Sequence, residues 1–359
     1  MEHFADSHIH LTLTSEEKTL FLLNQMASLG VTDCTVHALP YRGEAYNLRL
    51  LDIKNRYDKI NLRVFGALHD FGQFEGIDPL KQAKTLLALG CDGMKFMEQD
   101  PLLRKVKGFG LNDPYYAPLF EYLQENDIPC TFHVADPEEF WEPREMSEEE
   151  KKRGWFYGDG TFPTKETILR EALEVVEKFP RLRVTFAHFF FQSNHLEFAR
   201  EVMETYPNVL FDLTPGWEMY LGFSKRISDW HDFFMEHQTR ILFGTDSNNY
   251  KSDNDKLHLL VKTALTHDES EFPMPAFAHP LIRGLNLPEE AVRNIVWNNY
   301  VMFVGERPKK VNTELLQKEA ERMLSAMEAN LDYKPSVRWL NDDYNNKESV
   351  NWLKNYLGK

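Results

Sequence analysis

The chain has few cysteines and no long apolar run. Its three cysteines, Cys34, Cys91 and Cys130, lie in or beside short apolar runs that resemble strands. An odd number of cysteines in such positions is typical of buried, reduced thiols in a cytosolic protein. No stretch approaches the roughly 18 uninterrupted apolar residues of a membrane-spanning helix, and no basic segment followed by an apolar one marks a leader near residue 1. We therefore expect a cytoplasmic protein.

Positive charge is also scarce. The 359 residues include 41 Lys and Arg against 56 Asp and Glu, which gives a formal net charge of −15. Binding to nucleic acid or to an anionic membrane depends on clustered Lys and Arg, so neither is expected as the main partner. The expected partners are a small-molecule substrate and a second copy of the chain in a homodimer. An anionic substrate would need a locally positive pocket.

No glycine-rich phosphate turn follows the first strand. That position holds His10-Leu11-Thr12-Leu13-Thr14, whereas an open doubly wound sheet usually carries glycines there. Short apolar strands alternate instead with amphipathic helices, which parallel strands need as crossovers. Eight strands are predicted, one ending at His10 and the others at residues 32–36, 62–68, 91–97, 128–134, 182–188, 209–213 and 240–245. This order predicts an α/β fold that closes as a (β/α)8 TIM barrel.

The barrel is expected to span residues 1–308. A long, acidic and aromatic insertion, residues 136–163, follows the fifth strand. It is interpreted either as a lid over the pocket or as a packed excursion that contacts another subunit. Beyond Pro308 the spacing of apolar residues is helical. We interpret residues 309–359 as a C-terminal helical extension that packs on the barrel or on a neighbouring subunit.

The first strand offers two metal ligands. Asp6, His8 and His10 alternate along this strand, so their side chains point to the same face. Two neutral imidazoles at this spacing supply half of a metal site, since a catalytic zinc ion takes about three or four protein ligands and keeps one position for water. The pair alone fits ordinary surface or core histidines equally well. The remaining ligands must come from elsewhere in the chain.

Ionisable residues end most of the other predicted strands. In a TIM barrel the chemistry lies at the C-terminal ends of the strands, so side chains at these points share one site. The residues at these ends are His37, His69, Lys95, His133, His188 and Asp246. Any single histidine among them fits a structural role, above all the first two. Together with His8 and His10, the set favours a metal site.

The pattern around these residues resembles a known family. Its elements are Asp6-Ser7-His8-Ile9-His10, Phe132-His133, Phe179-Pro180-Arg181-Leu182 leading into Ala187-His188, Leu242-Phe243-Gly244-Thr245-Asp246 and Trp297-Asn298-Asn299-Tyr300. As a set they resemble the amidohydrolase superfamily, specifically amidohydrolase family 2. That branch includes metal-dependent hydrolases, lactonases and non-oxidative decarboxylases of the aminocarboxymuconate-semialdehyde type. The resemblance covers roughly residues 3–305.

The resemblance implies a ligand set for one divalent ion. The ligands would be His8, His10, His133 and Asp246, and the ion is expected to be zinc, with manganese or another divalent metal as the alternative. His188 would lie beside the metal-activated water or the substrate. Asp246 would also accept the proton of that water, so His188 and Asp246 are the expected catalytic residues.

Lys95 leaves the number of ions open. In binuclear members of the superfamily a carbamylated lysine at the end of strand four bridges two ions. Lys95 occupies the corresponding place here, and His188 would then bind the second ion. Two alternatives stay open for Lys95, a salt bridge to a substrate carboxylate and a structural position at the surface.

Three further residues are candidates for substrate binding. Tyr41 and Arg42, in the loop after the second strand, are placed to hold a carboxylate, although a solvated arginine fits this loop as well. Trp217, which follows Pro215-Gly216, is a candidate wall of the substrate site.

The sequence therefore predicts a metal-dependent hydrolase that acts on a small, carboxylated lactone, ester or amide. A non-oxidative decarboxylase of a small unsaturated or aromatic acid would use the same ligands, with His188 or Asp246 moving a proton to the carbon that loses CO₂. A non-catalytic metal-binding barrel is the third alternative. The full ligand set together with a proton carrier argues against that last alternative.

Overall fold

A single parallel sheet forms the centre of the protein. The structure, a computed structural model, describes residues 3–12, 15–42, 45–69, 78–143, 145–250, 253–277, 281–328 and 346–358. The strands of the sheet are β1 (Ala5–His10), β2 (Asp33–His37), β3 (Asn61–Ala67), β4 (Gly93–Gln99), β5 (Cys130–Val134), β6 (Val184–Phe186), β7 (Val209–Asp212), β8 (Ile241–Leu242) and β9 (Ser247–Asn248). Each strand from β1 to β7 pairs with the next along the chain.

The sheet closes because its eighth strand is broken into two segments. β8 pairs with β7, while β9 pairs with β1. Between the two segments, the backbone N–H of Ser7 donates to the carbonyl of Phe243 over 2.8 Å, and that of Asp246 donates to the carbonyl of His8 over 2.9 Å. Eight strand positions therefore surround one axis, and the predicted (β/α)8 TIM barrel is confirmed.

Helices cover the outside of the barrel. They are α1 (Glu16–Ser28), α2 (Tyr46–Arg56), α3 (Pro79–Leu89), α4 (Pro101–Lys107), α5 (Ala117–Glu125), α6 (Glu148–Arg153), α7 (Lys165–Lys178), α8 (Leu196–Thr205), α9 (Trp217–Lys225), α10 (Ile227–His237), α11 (Asn254–Thr266), α12 (Glu289–Arg293), α13 (Asn299–Val304), α14 (Thr313–Glu328) and α15 (Asn346–Leu357). A short antiparallel pair, β10 (Glu271–Pro273) with β11 (Leu281–Arg283), lies outside the main sheet. None of these described helices is long and apolar enough to cross a membrane.

The chain packs an apolar layer between strands and helices. Phe96, Phe132 and Phe186 of neighbouring strands are fully buried there. The three cysteine thiols are free and buried, as their apolar surroundings in the sequence predict. Burial of such side chains is the main source of stability of a barrel of this kind.

The segment that leads into the C-terminal helices packs closely against Gly90. Gly90 ends α3 in the left-handed conformation, with φ 116°. A Cβ atom at this position would lie 2.8 Å from the carbonyl oxygen of Lys310, so only glycine permits both the turn and the close approach. Next to it, the N–H of Asn312 donates to the carbonyl of Leu89 over 3.0 Å. Helix α14 then packs on α3 and pairs with α15.

The insertion after β5 folds back on itself through its aromatic residues. Phe140 stacks on Trp155 with ring centroids 5.6 Å apart. Trp141 donates from Nε1 to the carbonyl of Pro163 over 3.0 Å, and Tyr157 is only 1% exposed. The insertion thus has a packed interior and contributes a buried phenol close to the end of β5.

Replacing Thr164 with alanine is expected to lower the free energy of unfolding by about 1 kcal/mol. The Thr164 side chain accepts a hydrogen bond from the N–H of Thr167 over 3.2 Å and so caps the first turn of α7. Chemical denaturation measures the loss. Thr85→Ala, inside α3, is the matched control, because alanine is favoured within a helix. An equal loss in both variants would contradict the capping role.

Candidate metal centre

Three donor atoms converge at the C-terminal end of the barrel. Nε2 of His8 lies 3.2 Å from Nε2 of His10. Nε2 of His10 lies 3.3 Å from Oδ1 of Asp246. The three residues are brought together by β1 and the neighbouring break between β8 and β9, and they form a group that could hold a metal ion. The His8 side chain is 1% exposed, whereas that of Asp246 is 27% exposed, so the group is open on one side.

Hydrogen bonds on the far side of the rings orient both imidazoles. Nδ1 of His8 donates to Oδ2 of Asp212 over 2.8 Å, and Nδ1 of His10 donates to the carbonyl of His37 over 3.0 Å. With Nδ1 protonated, each neutral ring presents an unprotonated Nε2 lone pair to the shared space. Both rings therefore have the tautomer that a metal ligand requires.

Burial keeps these rings neutral. It lowers the pKa of His8 well below the ordinary value. It lowers the pKa of His10 to about 4, against the attraction of Asp246 and with a further lowering by Lys95 and Arg42. The same cause lowers the pKa of His133 to about 4 and that of His188 to about 3. At neutral pH the cluster is a set of uncharged imidazoles, the form that binds divalent metals.

Lys95 projects into the same space from β4. Its side chain is 1% exposed, and Nζ donates to Nε2 of His8 over 3.5 Å. Burial lowers its pKa to about 8, although Asp212, Asp246 and Glu98 oppose the shift. The alternative of a surface lysine is therefore excluded, and the ammonium group lies beside the candidate metal ligands.

A left-handed turn at the end of β6 positions His188. Four consecutive residues, His188 to Phe191, have φ between 52° and 56°. Such a conformation costs about 1–3 kcal/mol per non-glycine residue, and complete burial of the Phe189 and Phe190 rings offsets it. The backbone N–H of His188 donates to Oδ1 of Asp212 over 2.9 Å. Its ring lies between His8 and His133, with centroid distances of 5.7 and 4.9 Å.

The structure places His133 in a second group of donors. Its Nε2 atom lies 3.7 Å from Oδ1 of Asp136. Together with Asp100, these two residues form a further cluster that could hold a metal ion. Burial raises the pKa of Asp136 to about 7 and that of Asp100 to about 6. His133 thus reaches the site from β5, and its donor atom lies within 4.8 Å of one carboxylate oxygen each of Asp100 and Asp136.

Asp212, at the end of β7, is a site residue that the sequence analysis does not identify. One oxygen accepts from His8, and the other accepts from the backbone N–H groups of His188 and Thr214 over 2.9 and 3.1 Å. Its carboxylate therefore fixes one expected ligand and one expected catalytic residue. The available signal is its position, because it ends the apolar run Val209-Leu210-Phe211 as His133 ends its own run.

The remaining candidates occupy different surroundings. His37 donates from Nε2 to the carbonyl of Ser7 over 2.9 Å, and His69 donates from Nδ1 to that of Pro40 over 3.0 Å, so one ring nitrogen of each is engaged by the backbone. Arg42 is half-buried, and its guanidinium lies 5.8 Å from the ring centre of Tyr41. The side chain of Trp217 lies outside the described part of the chain.

The residues present fit a divalent ion. Two nitrogen ligands of one tetrahedral zinc ion are expected to lie about 3.3 Å apart, close to the 3.2 Å between Nε2 of His8 and Nε2 of His10. Imidazole and carboxylate donors suit zinc, manganese or iron, and the donor set does not distinguish among these metals.

Comparisons with solved structures support the fold. An amidohydrolase II is 14% identical with a TM-score of 0.51 and covers 84% of this chain and 100% of its own. An uncharacterised TIM-barrel protein from Bordetella bronchiseptica is 13% identical with a TM-score of 0.53, covering 84% of this chain and 98% of its own. A 4-oxalomesaconate hydratase from Rhodopseudomonas palustris is 13% identical with a TM-score of 0.50, covering 89% and 99%. At these identities the likeness concerns the barrel alone.

A family model describes more than half of the chain. Residues 65–299 match the model Amidohydro_2, described as amidohydrolase. A search of curated proteins gives no significant match. The matched range runs from β3 to α13 and includes Lys95, His133, His188 and Asp246. The chain therefore belongs to this amidohydrolase family, as the resemblance of its strand-end motifs predicts.

Proposed function

We propose that the protein is a metal-dependent hydrolase that acts on a small, carboxylated lactone, ester or amide. The observation that carries the proposal is the convergence of His8 Nε2, His10 Nε2 and Asp246 Oδ1, with both imidazole Nδ1 atoms engaged elsewhere. A divalent ion bound there would acidify a water molecule and polarise a substrate carbonyl. Membership of the amidohydrolase family supports the same chemistry.

Asp246 is suited to take a proton from the attacking water. Its carboxylate is partly exposed at the mouth of the barrel, and its backbone N–H is held by the carbonyl of His8. A carboxylate in this position accepts a proton as the water attacks the carbonyl, and it can return that proton to the leaving group. This proton transfer is the step that we assign to Asp246.

His188 is suited to orient the water. Nδ1 of His188 donates to the carbonyl of Thr214 over 3.2 Å. In the neutral ring Nε2 therefore lacks a proton, and this atom accepts a hydrogen bond rather than donating one. An acceptor beside the reacting carbon holds a water O–H and directs the oxygen lone pair towards the substrate. On this tautomer His188 positions the nucleophile and does not stabilise an oxyanion.

Two cations support a carboxylated substrate. Lys95 and Arg42 both lie close enough to His10 to contribute to the lowering of its pKa, after the larger effect of burial. A protein with a net charge of −15 repels anions in general, so positive groups at this point create local attraction. We assign Lys95 to binding of the substrate carboxylate. Tyr41 and Arg42 remain candidates for further contacts with the substrate.

Lys95→Met is expected to raise KM for a carboxylated substrate about 10-fold, because a hydrogen bond to a charged group is lost. KM for the corresponding methyl ester should stay unchanged, since that compound lacks the charge. Steady-state kinetics on the two compounds measures this difference. Lys81→Met, on the exposed face of α3, is the matched control. An equal rise in KM for both compounds would contradict the assignment.

The reaction class is tested with ¹⁸O-labelled water. The protein is loaded with Zn²⁺ or Mn²⁺ and incubated with carboxylated lactones, esters and amides, and the products are analysed by mass spectrometry. Hydrolysis inserts one ¹⁸O atom into the acid product. Release of CO₂ without this label would support the second candidate, a non-oxidative decarboxylase, which the neutral His188 and the buried Lys95 also suit. Metal binding without turnover of any compound would overturn the hydrolase proposal.

A further inference from the structure

Strand β4 contains a bulge close to its C-terminal end. The pairing register with β5 shifts between Phe96 and Gln99, because their partners on β5 lie two residues apart rather than three. Two residues of β4, Met97 and Glu98, therefore lie opposite one residue of β5, His133. Bulges of this kind are common next to active sites, where they change the direction of a side chain.

The residues on either side of the bulge point towards the outer helices. The ring of Phe96 contacts that of Phe120 on α5, with centroids 5.3 Å apart. Nε2 of Gln99 donates to the carbonyl of Ile168 on α7 over 3.0 Å. Because side chains alternate along a strand, the two bulged residues share the position that faces the barrel interior, opposite His133.

Glu98 is a buried acid to which the proposed reaction assigns no role. The residue is 1% exposed. Burial raises its pKa to about 7, against hydrogen bonds with the backbone of Glu98 and Met97 and the attraction of Lys95. The Oε2 atom is buried and has no hydrogen-bond partner among the residues that the structure describes. A buried polar atom without a partner is unfavourable, so this oxygen is placed to receive a donor from a ligand.

Glu98 and Lys95 lie close together at the same end of β4. Burial is the main cause of the pKa shift of each, and each group partly opposes the shift of the other. Nζ of Lys95 is directed to Nε2 of His8, 3.5 Å away, and it does not hydrogen-bond to the free oxygen of Glu98. A ligand that carries both a carboxylate and a nearby hydrogen-bond donor would therefore satisfy both groups.

We propose that Glu98 determines substrate specificity by accepting, through Oε2, a hydrogen bond from an O–H or N–H group of the substrate. The substrate is then a small carboxylate that also carries a hydroxyl or an ammonium group. This inference rests on the proposed function, in which Lys95 binds the substrate carboxylate. Both substituents supply the same donor, and the experiment below distinguishes them.

Binding of dicarboxylates to the full chain loaded with Zn²⁺, measured by calorimetry, tests the role of Glu98. Hydrolysis of an ester, lactone or amide with a carboxylate on its acyl side leaves a dicarboxylate. The probes are therefore succinate, malate and aspartate, which carry hydrogen, hydroxyl or ammonium at one carbon, and their five-carbon homologues. We expect the wild type to bind malate or aspartate about 10-fold more tightly than succinate. Glu98→Met should lose this preference and bind succinate as the wild type does.

Further variants separate the two donors and control for folding. Glu98→Gln should keep a preference for malate, because an amide still hydrogen-bonds to a hydroxyl, but lose one for aspartate, because it carries no charge. Glu98→Ala takes the place of Glu98→Met if circular dichroism shows that the methionine variant does not fold. Lys95→Met should weaken all three ligands equally. The control Glu121→Met, at an exposed position of α5, should keep the wild-type preference.

The outcomes separate this inference from the proposed function. Chelation of Zn²⁺ by a hydroxyl or amine is common to all the proteins, so only a difference between wild type and variant is attributed to Glu98. No preference in the wild type, or the same preference in Glu98→Met, would overturn the role of Glu98 and leave the hydrolase proposal intact. An equal loss of affinity for all three ligands in Glu98→Met would indicate a structural role and overturn it too. Failure of the hydrolase proposal shows separately, as the absence of ¹⁸O from the products.

Discussion

Asp246→Asn is expected to lower kcat by about 10²–10⁴-fold, the usual contribution of a positioned acid or base. Asparagine keeps the size of the side chain and an oxygen that faces His10, but it cannot accept the proton of the attacking water. The left-handed backbone at Asp246, with φ 53°, is tolerated by asparagine as well as by aspartate. The variant therefore removes the basicity of the group with little change in shape. Initial rates at saturating metal measure the effect.

The control for this prediction lies in the same segment. Asp255, in the first turn of α11, is exposed, and Asp255→Asn should leave kcat unchanged. Metal content is measured in both variants, so that loss of the ion is distinguished from loss of the base. A fully loaded Asp246→Asn variant with more than a tenth of the wild-type kcat would show that another group accepts the proton.

Asp212→Asn is expected to weaken metal binding about 10–100-fold, the usual cost of removing the partner of a ligating histidine. The carboxylate accepts from Nδ1 of His8 and thereby directs Nε2 into the site. An asparagine amide lacks the negative charge and can present N–H to the ring instead. The His8 ring then turns or adopts the other tautomer, in which Nε2 carries the proton and cannot bind metal.

Competition with a chelator of known affinity measures the metal affinity of Asp212→Asn. Asp232→Asn, at an exposed position of α10, is the matched control and should bind metal as the wild type does. Unchanged affinity in the Asp212 variant would mean that His8 does not depend on this carboxylate. The variant should also perturb His188, whose backbone N–H bonds to the same side chain. A change in both KM and metal affinity is therefore expected.

Much of the barrel can be predicted because local signals agree with the overall fold. Helix α3 carries clear local signals, since Asp78 caps its first turn, Pro79 begins it and Gly90 ends it. The eighth strand is harder to predict. The sequence Ile241-Leu242-Phe243-Gly244-Thr245 looks like one continuous strand, but β8 pairs with β7 and the separate segment β9 pairs with β1. Its break lets Asp6 accept from Thr245, through Oγ1 over 2.6 Å and the backbone N–H over 3.2 Å. Such long-range pairing leaves no trace in hydrophobic periodicity.

The candidate site, like the fold, can be predicted from the sequence only in part. Alternation along β1 predicts that His8 and His10 share a face, and the structure brings both to Asp246. The direction of the His133 ring depends on its contacts with His188 and Phe191, which follow β6, and the spacing of residues in the sequence does not encode such contacts. Asp212 is not predicted because a single carboxylate at the end of a strand matches no motif. Its position nevertheless corresponds to those of the other ionisable residues at strand ends.

The central claim is that His8, His10 and Asp246 hold a divalent ion. Elemental analysis of protein purified without chelator, wild type beside His10→Asn, tests it most directly. The wild type should contain at least one divalent ion per chain, and the variant should contain one ion fewer while it remains folded. Equal metal content in the two proteins, or none in either after reconstitution with Zn²⁺ or Mn²⁺, would contradict the metal centre and the hydrolase proposal that rests on it.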